Sequence, residues 1–185
     1  MLPLHRHLGV TPRPPWWWQV ALSAALGAWA ALSFGWSWTL LGFLPLVAVW
    51  SMAAVIDVVS LRLPDALTIP SYPGLLLLLL PALLLEDAPL LRVALAGLAT
   101  GAALFVVAWI SPRSFGLGDV KLGLTTGAAL GWWGWRAVLL GAGAGFLAFS
   151  LLGLMLLAMR RVGRRTDLPF GPFLIFGALV GPLLV

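Results

Sequence analysis

Long, predominantly apolar runs recur along this chain, and three of them, Trp16 to Phe34, Thr39 to Ile56 and Leu90 to Ile110, are each long enough to cross a hydrocarbon core. That feature leaves few folds open. Inside a bilayer every backbone N–H and C=O must find a partner within the protein, and for a chain of this size the helix is the solution these runs suit. Charge is too scarce for the alternative of a soluble domain: 9% of the 185 residues are charged and 62% are hydrophobic, where a soluble domain carries about 25% charged residues. The expected fold is all-α, a polytopic transmembrane bundle of about seven helices with a cytoplasmic N-terminus. Residues 1–185 read as one membrane domain, 1–15 being its cytoplasmic N-terminal segment. With no cysteine in the sequence, disulfides, thiolate metal sites and thiol catalysis are excluded.

Seven apolar segments separate at turn-like or charged breaks: 16–34, 39–56, 66–85, 90–110, 119–133, 136–159 and 170–185. The fifth is short and contains Thr125 and Thr126, so it reads either as a crossing or as a re-entrant piece. The distribution of basic residues discriminates between the two. If the segment crosses, Arg6, Arg13, Arg62, Arg113, Lys121, Arg160, Arg161, Arg164 and Arg165 share one side against Arg92 and Arg136, nine against two. If it does not, the count is six against five and orientation is unspecified. The cytoplasmic bias of basic loops favours seven crossings with the N-terminus inside. The net charge of +5 is therefore read as topology, not as a nucleic-acid footprint. His5, Arg6, His7 and Arg13 resemble the start of a signal peptide, but the apolar segment behind them is long and lacks a cleavage site, which makes it a retained first helix.

Trp16, Trp17 and Trp18 fall at the inner end of the first segment, and Trp36, Trp38, Trp132, Trp133 and Trp135 at outer ends, where indole prefers the headgroup level. Pro70, Pro73, Gly74 and Pro81 predict a kinked or partly unwound third segment.

Six acids remain. Glu86 and Asp87 belong to a short outer loop and need only solvent. Asp57 ends the apolar run from Trp50, and Asp119 begins one, which puts both carboxylates at the inner edge of the hydrocarbon, where an ionisable group defaults to a functional role. The two crossings between them return the chain to the same face, so they can meet. Two carboxylates held close cannot both ionise easily and share a proton, the arrangement with which an aspartic protease activates water and polarises a carbonyl. The competing reading pairs Asp57 with Arg62 and Asp119 with Lys121.

The surroundings of Asp119 favour function. It stands in Phe115-Gly116-Leu117-Gly118-Asp119-Val120-Lys121-Leu122, where glycines expose backbone to close approach. Gly123, Gly127 and Gly131 continue from it at four-residue spacing as a side-chain-free stripe on one helix face. Gly97/Gly101 and Gly141/Gly145 share that spacing and read as packing motifs alone.

At these residues the sequence resembles the type IV prepilin peptidases, GxGD-type membrane aspartic proteases whose relatives include the preflagellin peptidases and, more distantly, presenilin. Ile56-Asp57, followed by Leu63-Pro64-Asp65-Ala66-Leu67-Thr68, looks like the first catalytic aspartate and its downstream element. Gly116-Leu117-Gly118-Asp119-Val120-Lys121-Leu122 looks like the second catalytic motif. Leu168-Pro169-Phe170-Gly171-Pro172 resembles the family's Pro-Phe-Gly-Pro lead-in to the last helix. The three stretches occur in order and the resemblance covers about residues 16–185.

The resemblance implies that Asp57 and Asp119 are a catalytic dyad supported by a loop of Gly116, Gly118 and Lys121, with Lys121 orienting the loop or meeting lipid phosphate. Asp65, where the family often has Asn, reads as a helix cap after Pro64, and Asp167 as a partner of neighbouring arginines. The implied activity is removal, on the cytoplasmic side of the prokaryotic inner membrane, of a short basic leader ending in Gly ahead of a hydrophobic helix. Pilus, secretion pseudopilin and flagellin-like precursors are all compatible partners. Long members of the family carry a cytoplasmic insert with paired cysteines, associated with N-methylation. That insert and its cysteines are missing here, so a peptidase without methyltransferase activity, cofactor or zinc is expected, and oligomeric state stays open. Two other functions compete. A small ion-coupled transporter predicts mid-membrane acids and an inverted repeat, and neither is visible. A non-catalytic assembly subunit would not need an intact pair of acids.

Overall fold

The computed structural model describes residues 16–60, 69, 72, 77, 80–82, 84, 85, 89–111, 115–163 and 166–185. The described residues form helices and the links between them, with no strand. We label the helices α1 (Trp16–Phe34), α2 (Trp38–Ser60), α3 (Leu90–Ile110), α4 (Leu117–Trp133), α5 (Trp135–Ala158) and α6 (Gly171–Val180), the last continuing as a 3-10 turn over Gly181–Leu184. The all-α class expected from the sequence is therefore observed. The expected third segment lies largely outside the described residues, as do the N-terminal basic residues and the stretch from Leu63 to Thr68. By length and composition α2, α3 and α5 are able to cross a membrane.

α1 and α2 form a hairpin. Gly35, at φ 60°, ends α1 in the left-handed region that glycine adopts without strain, and its amide closes on the Ala31 carbonyl at 2.9 Å. Polar side chains between the two helices turn inward: Gln19 Nε2 donates to Ser51 Oγ at 2.7 Å, and Ser23 and Ser51 share a hydrogen bond of 2.8 Å. Such pairs hold apolar helices together where burial against lipid supplies no driving force.

The glycine stripe of α4 lies against α3, as its spacing implied. A Cβ on Gly123 would collide with Leu104, one on Gly127 would come within 2.8 Å of the Ala96 carbonyl, and one on Gly131 within 3.1 Å of the Arg92 carbonyl. Each step of four residues along α4 meets an earlier turn of α3, so the helices are antiparallel along most of their length and traverse the same depth. Gly97 and Gly101 complete the contact from the α3 side, packing on Leu124. Thr125 and Thr126, which made this segment ambiguous in sequence, donate their hydroxyls to Leu122 O at 2.9 and 3.1 Å and so cost the helix no unpaired polar group.

Arg92 holds the far end of α4, donating from Nε to Gly131 O at 2.7 Å and from Nη2 to Trp132 O at 2.8 Å. A cation on terminal carbonyls satisfies orphan acceptors and complements the helix dipole. Gly134, at φ 122°, then reverses the chain into α5. Gly141 and Gly145 pack directly on the backbone of α6 at Gly177 and Phe173, and α6 also contacts α2 and α4, which places it inside the bundle. Of the tryptophans read as boundary anchors, Trp17, Trp18, Trp36, Trp38 and Trp135 are exposed. Trp133 instead turns inward, with ring centroids 4.9 Å from Phe34 and 5.8 Å from Trp29, and Trp132 lies 6.0 Å from Phe43.

Candidate active site

α2 runs four residues beyond the apolar segment expected to end at Ile56, so Asp57 is inside a helix and not at its margin. It is 6% exposed. Its Oδ2 accepts a hydrogen bond of 2.9 Å from the backbone N–H of Gly171, the first residue of α6. The first amides of a helix have no partner within it, and a carboxylate there satisfies one. Pro172 follows, a residue suited to the first turn because its missing N–H would be unpaired anyway.

Asp119 is the third residue of α4 and is half-buried. Its Oδ2 accepts from Gly116 N at 3.0 Å, while its own amide donates to Gly116 O at 3.1 Å. This reciprocal closure fixes the start of α4 in the manner of a capping box. Each carboxylate thus has Oδ2 tied to a backbone amide, and among the described residues Oδ1 of each makes no hydrogen bond.

The two acids occupy the same end of the bundle. Gly171 sits between their helices: a Cβ there would stand 2.9 Å from Asp57 Oδ2 and 3.3 Å from Leu122 Cδ2, one turn beyond Asp119. An aromatic contact joins the loops that supply the amides. Phe170, which precedes Gly171, lies 5.1 Å from Phe115, which precedes Gly116, and packs on Phe146 and Phe149 at 4.9 and 5.1 Å.

Of the other expected site residues, Gly116 is the exposed N-cap of α4, and a Cβ on it would be in ordinary contact with Gly118 N at 3.8 Å. Gly118 lies in the first turn of α4, and the Lys121 carbonyl accepts from Tyr72 Oη at 2.7 Å. Asp65 and Arg62 lie outside the described residues, and with them the cap after Pro64 and the Asp57–Arg62 pairing. Among the described residues no group of three or more His, Cys, Asp or Glu is arranged to hold a metal. Sequence reasoning missed the Gly171 amide as a partner of Asp57. The available signal was Pro172, which marks the start of a helix and hence a source of free N–H groups.

A model of the type IV leader peptidase family matches residues 44–159. The chain belongs to that family. The matched stretch contains both Asp57 and Asp119 and ends before Gly171. A prepilin leader peptidase/N-methyltransferase of Stutzerimonas stutzeri is 32% identical over 169 residues, an alignment covering 85% of this chain and 54% of the relative. The chain thus spans about half the length of that leader peptidase. No solved structure matches the chain. For a member of the leader peptidase family, two carboxylates at the same end of the bundle, each held by a backbone amide, are chemically equipped to move a proton between water and a carbonyl.

Proposed function

We propose that this protein is a membrane-embedded aspartic endopeptidase that removes the basic leader of prepilin-like precursors, with Asp57 and Asp119 as its catalytic pair. The observation that supports the reading is that two sequence-distant acids occupy the same end of the bundle near the start of α6, each holding a backbone amide. In the cleavage step one carboxylate is ionised and the other protonated. The ionised member takes a proton from water as that water attacks the scissile carbonyl, and the protonated member gives its proton to the carbonyl oxygen. Collapse of the tetrahedral intermediate then expels the amine, whose nitrogen takes the proton held by the first carboxyl, while a hydroxyl of the intermediate returns a proton to the second carboxylate. The exposed turn at Gly116 is where the backbone of the substrate approaches, its hydrophobic helix lying in the bilayer against the bundle.

The site faces the cytoplasm across a multi-pass inner-membrane bundle. This orientation is supported by the arginine-rich flank to which both acids belong and by the antiparallel run of α4 along α3, which supports the crossing of the fifth segment. Cleavage proceeds without N-methylation by this chain. The relative's name couples the two activities, whereas this sequence has no cysteine and no counterpart of the cysteine-bearing insert.

Co-expression with candidate precursors, followed by mass spectrometry of the mature N-terminus, tests the reading. A shortened product without an added methyl group is expected, and none with Asp57→Asn or Asp119→Asn. Processing by either variant in a host lacking other such peptidases would reject the assignment.

A further inference from the structure

α2 and α4 carry the two acids, and a direct side-chain hydrogen bond joins them: Trp50 Nε1 donates to Thr125 Oγ1 at 3.2 Å. Both partners are buried, Trp50 completely. Thr125 donates its own hydroxyl proton to Leu122 O at 2.9 Å, so its oxygen is oriented to accept from the indole. The register is informative. Trp50 precedes Asp57 by two turns of α2, about 10 Å of rise, and Thr125 follows Asp119 by six residues of the antiparallel α4, about 9 Å. The bond therefore lies one layer deeper than the carboxylates, at matching height on both helices, with the bulk of the indole filling the interval. Leu122, whose carbonyl receives the Thr125 hydroxyl, also packs beside Gly171.

We infer that the Trp50–Thr125 hydrogen bond is a positioning element that sets the separation of Asp57 and Asp119. The inference rests on the proposed peptidase reading for its consequence in turnover, but its geometric content is independent of it. An indole N–H in an apolar interior has no water to fall back on, so losing its acceptor costs more than the bond itself and drives the helices to a new spacing. A displacement of this kind away from the reacting atoms penalises the chemical step and not the docking of a long substrate.

The test uses the full chain in liposomes and a synthetic peptide with a basic leader ending in Gly ahead of an apolar helix. Trp50→Phe and Thr125→Val should each lower kcat by about tenfold with KM within about twofold of the parent. Thr125→Ser, which keeps the hydroxyl, should restore turnover, and the double variant should be no worse than the poorer single one, because both remove the same bond. Parental kcat in Thr125→Val, equal impairment in Thr125→Ser, or multiplying losses would overturn the inference. Because the chain has no cysteine, Asp57→Cys combined with Asp119→Cys gives a second readout that needs no activity. Thiol cross-linking of this pair should fall when Thr125→Val is added, and an unchanged yield overturns the spacer even if Trp50→Phe fails to fold. Cross-linking of the Asp57→Cys, Asp119→Cys chain that falls with Thr125→Val, combined with a parent chain that never cleaves the peptide, would remove the peptidase reading and leave the spacer standing. A pair that does not cross-link in the parent background would remove both.

Discussion

A methyl group on Gly171 would stand 2.9 Å from the Asp57 carboxylate and press on Leu122, so the absence of a side chain there lets the start of α6 deliver an amide to the acid. Gly171→Ala should lower kcat at least about tenfold while melting in detergent stays close to the parent, because the change is local. Parental turnover would show that the Gly171 contact is dispensable. Asp57→Asn and Asp119→Asn are cleaner than alanine variants, since an amide oxygen still accepts from Gly171 or Gly116 while the transferable proton is lost. Both should insert normally and fail to cleave. The acids themselves were legible in sequence because six carboxylates in an apolar chain leave few places to look. Their partners were not, because a backbone N–H has no residue type of its own. Arg92 illustrates the same limit: it counted only as a topology marker in sequence, although its guanidinium closes the end of α4.

The α3–α4 pair shows how a helix can be fixed in depth by what its residues lack. Gly127 lies so close to Thr100 and to the Ala96 carbonyl that a Cβ must push the helices apart, whereas Gly143 of α5 has nothing within 4 Å. Gly127→Ala should therefore destabilise the bundle by about 1–3 kcal/mol. Gly143→Ala should be neutral or stabilising by about 0.5–1 kcal/mol through helix propensity. Denaturation in detergent distinguishes the two, and equal responses would mean that the stripe is not an interface. Element positions were readable because apolar runs and helices end at the same Gly, Pro and charged breaks. Two ends were not: the apolar pattern stops at Ile56 although α2 continues to Ser60, since a buried partner for Asp57 permits a helix that composition alone would terminate. The last segment reads as continuous yet tightens into a 3-10 turn at Gly181, where Pro182 cannot donate to an α-helical ladder.

Taken as a whole, the molecule keeps an apolar core but also carries the apolar surface that a soluble domain lacks. Leu139, Leu147, Leu151 and Leu154 of α5 face outward, while Gln19, Ser23, Ser51, Thr125 and Thr126 turn toward one another or toward neighbouring backbone inside the bundle. Such a surface is stable only against hydrocarbon, so orientation in the bilayer decides which solvent reaches the two acids. Asp57 is near the end of α2 and Asp119 near the start of α4. The chain beyond α5, around Gly163, belongs to that same end, and Trp36, before α2, to the opposite one. Since the chain has no native thiol, single cysteines report on sidedness without background. Gly163→Cys should react with a membrane-impermeant maleimide only from the cytoplasmic side, and Trp36→Cys only from the other. Labelling of both from one side would mean that an odd number of the five segments between them does not cross. Reversed labelling would put the acids on the outer face, which would overturn the proposed cytoplasmic cleavage, and the basic residues would then have to be explained by something other than topology.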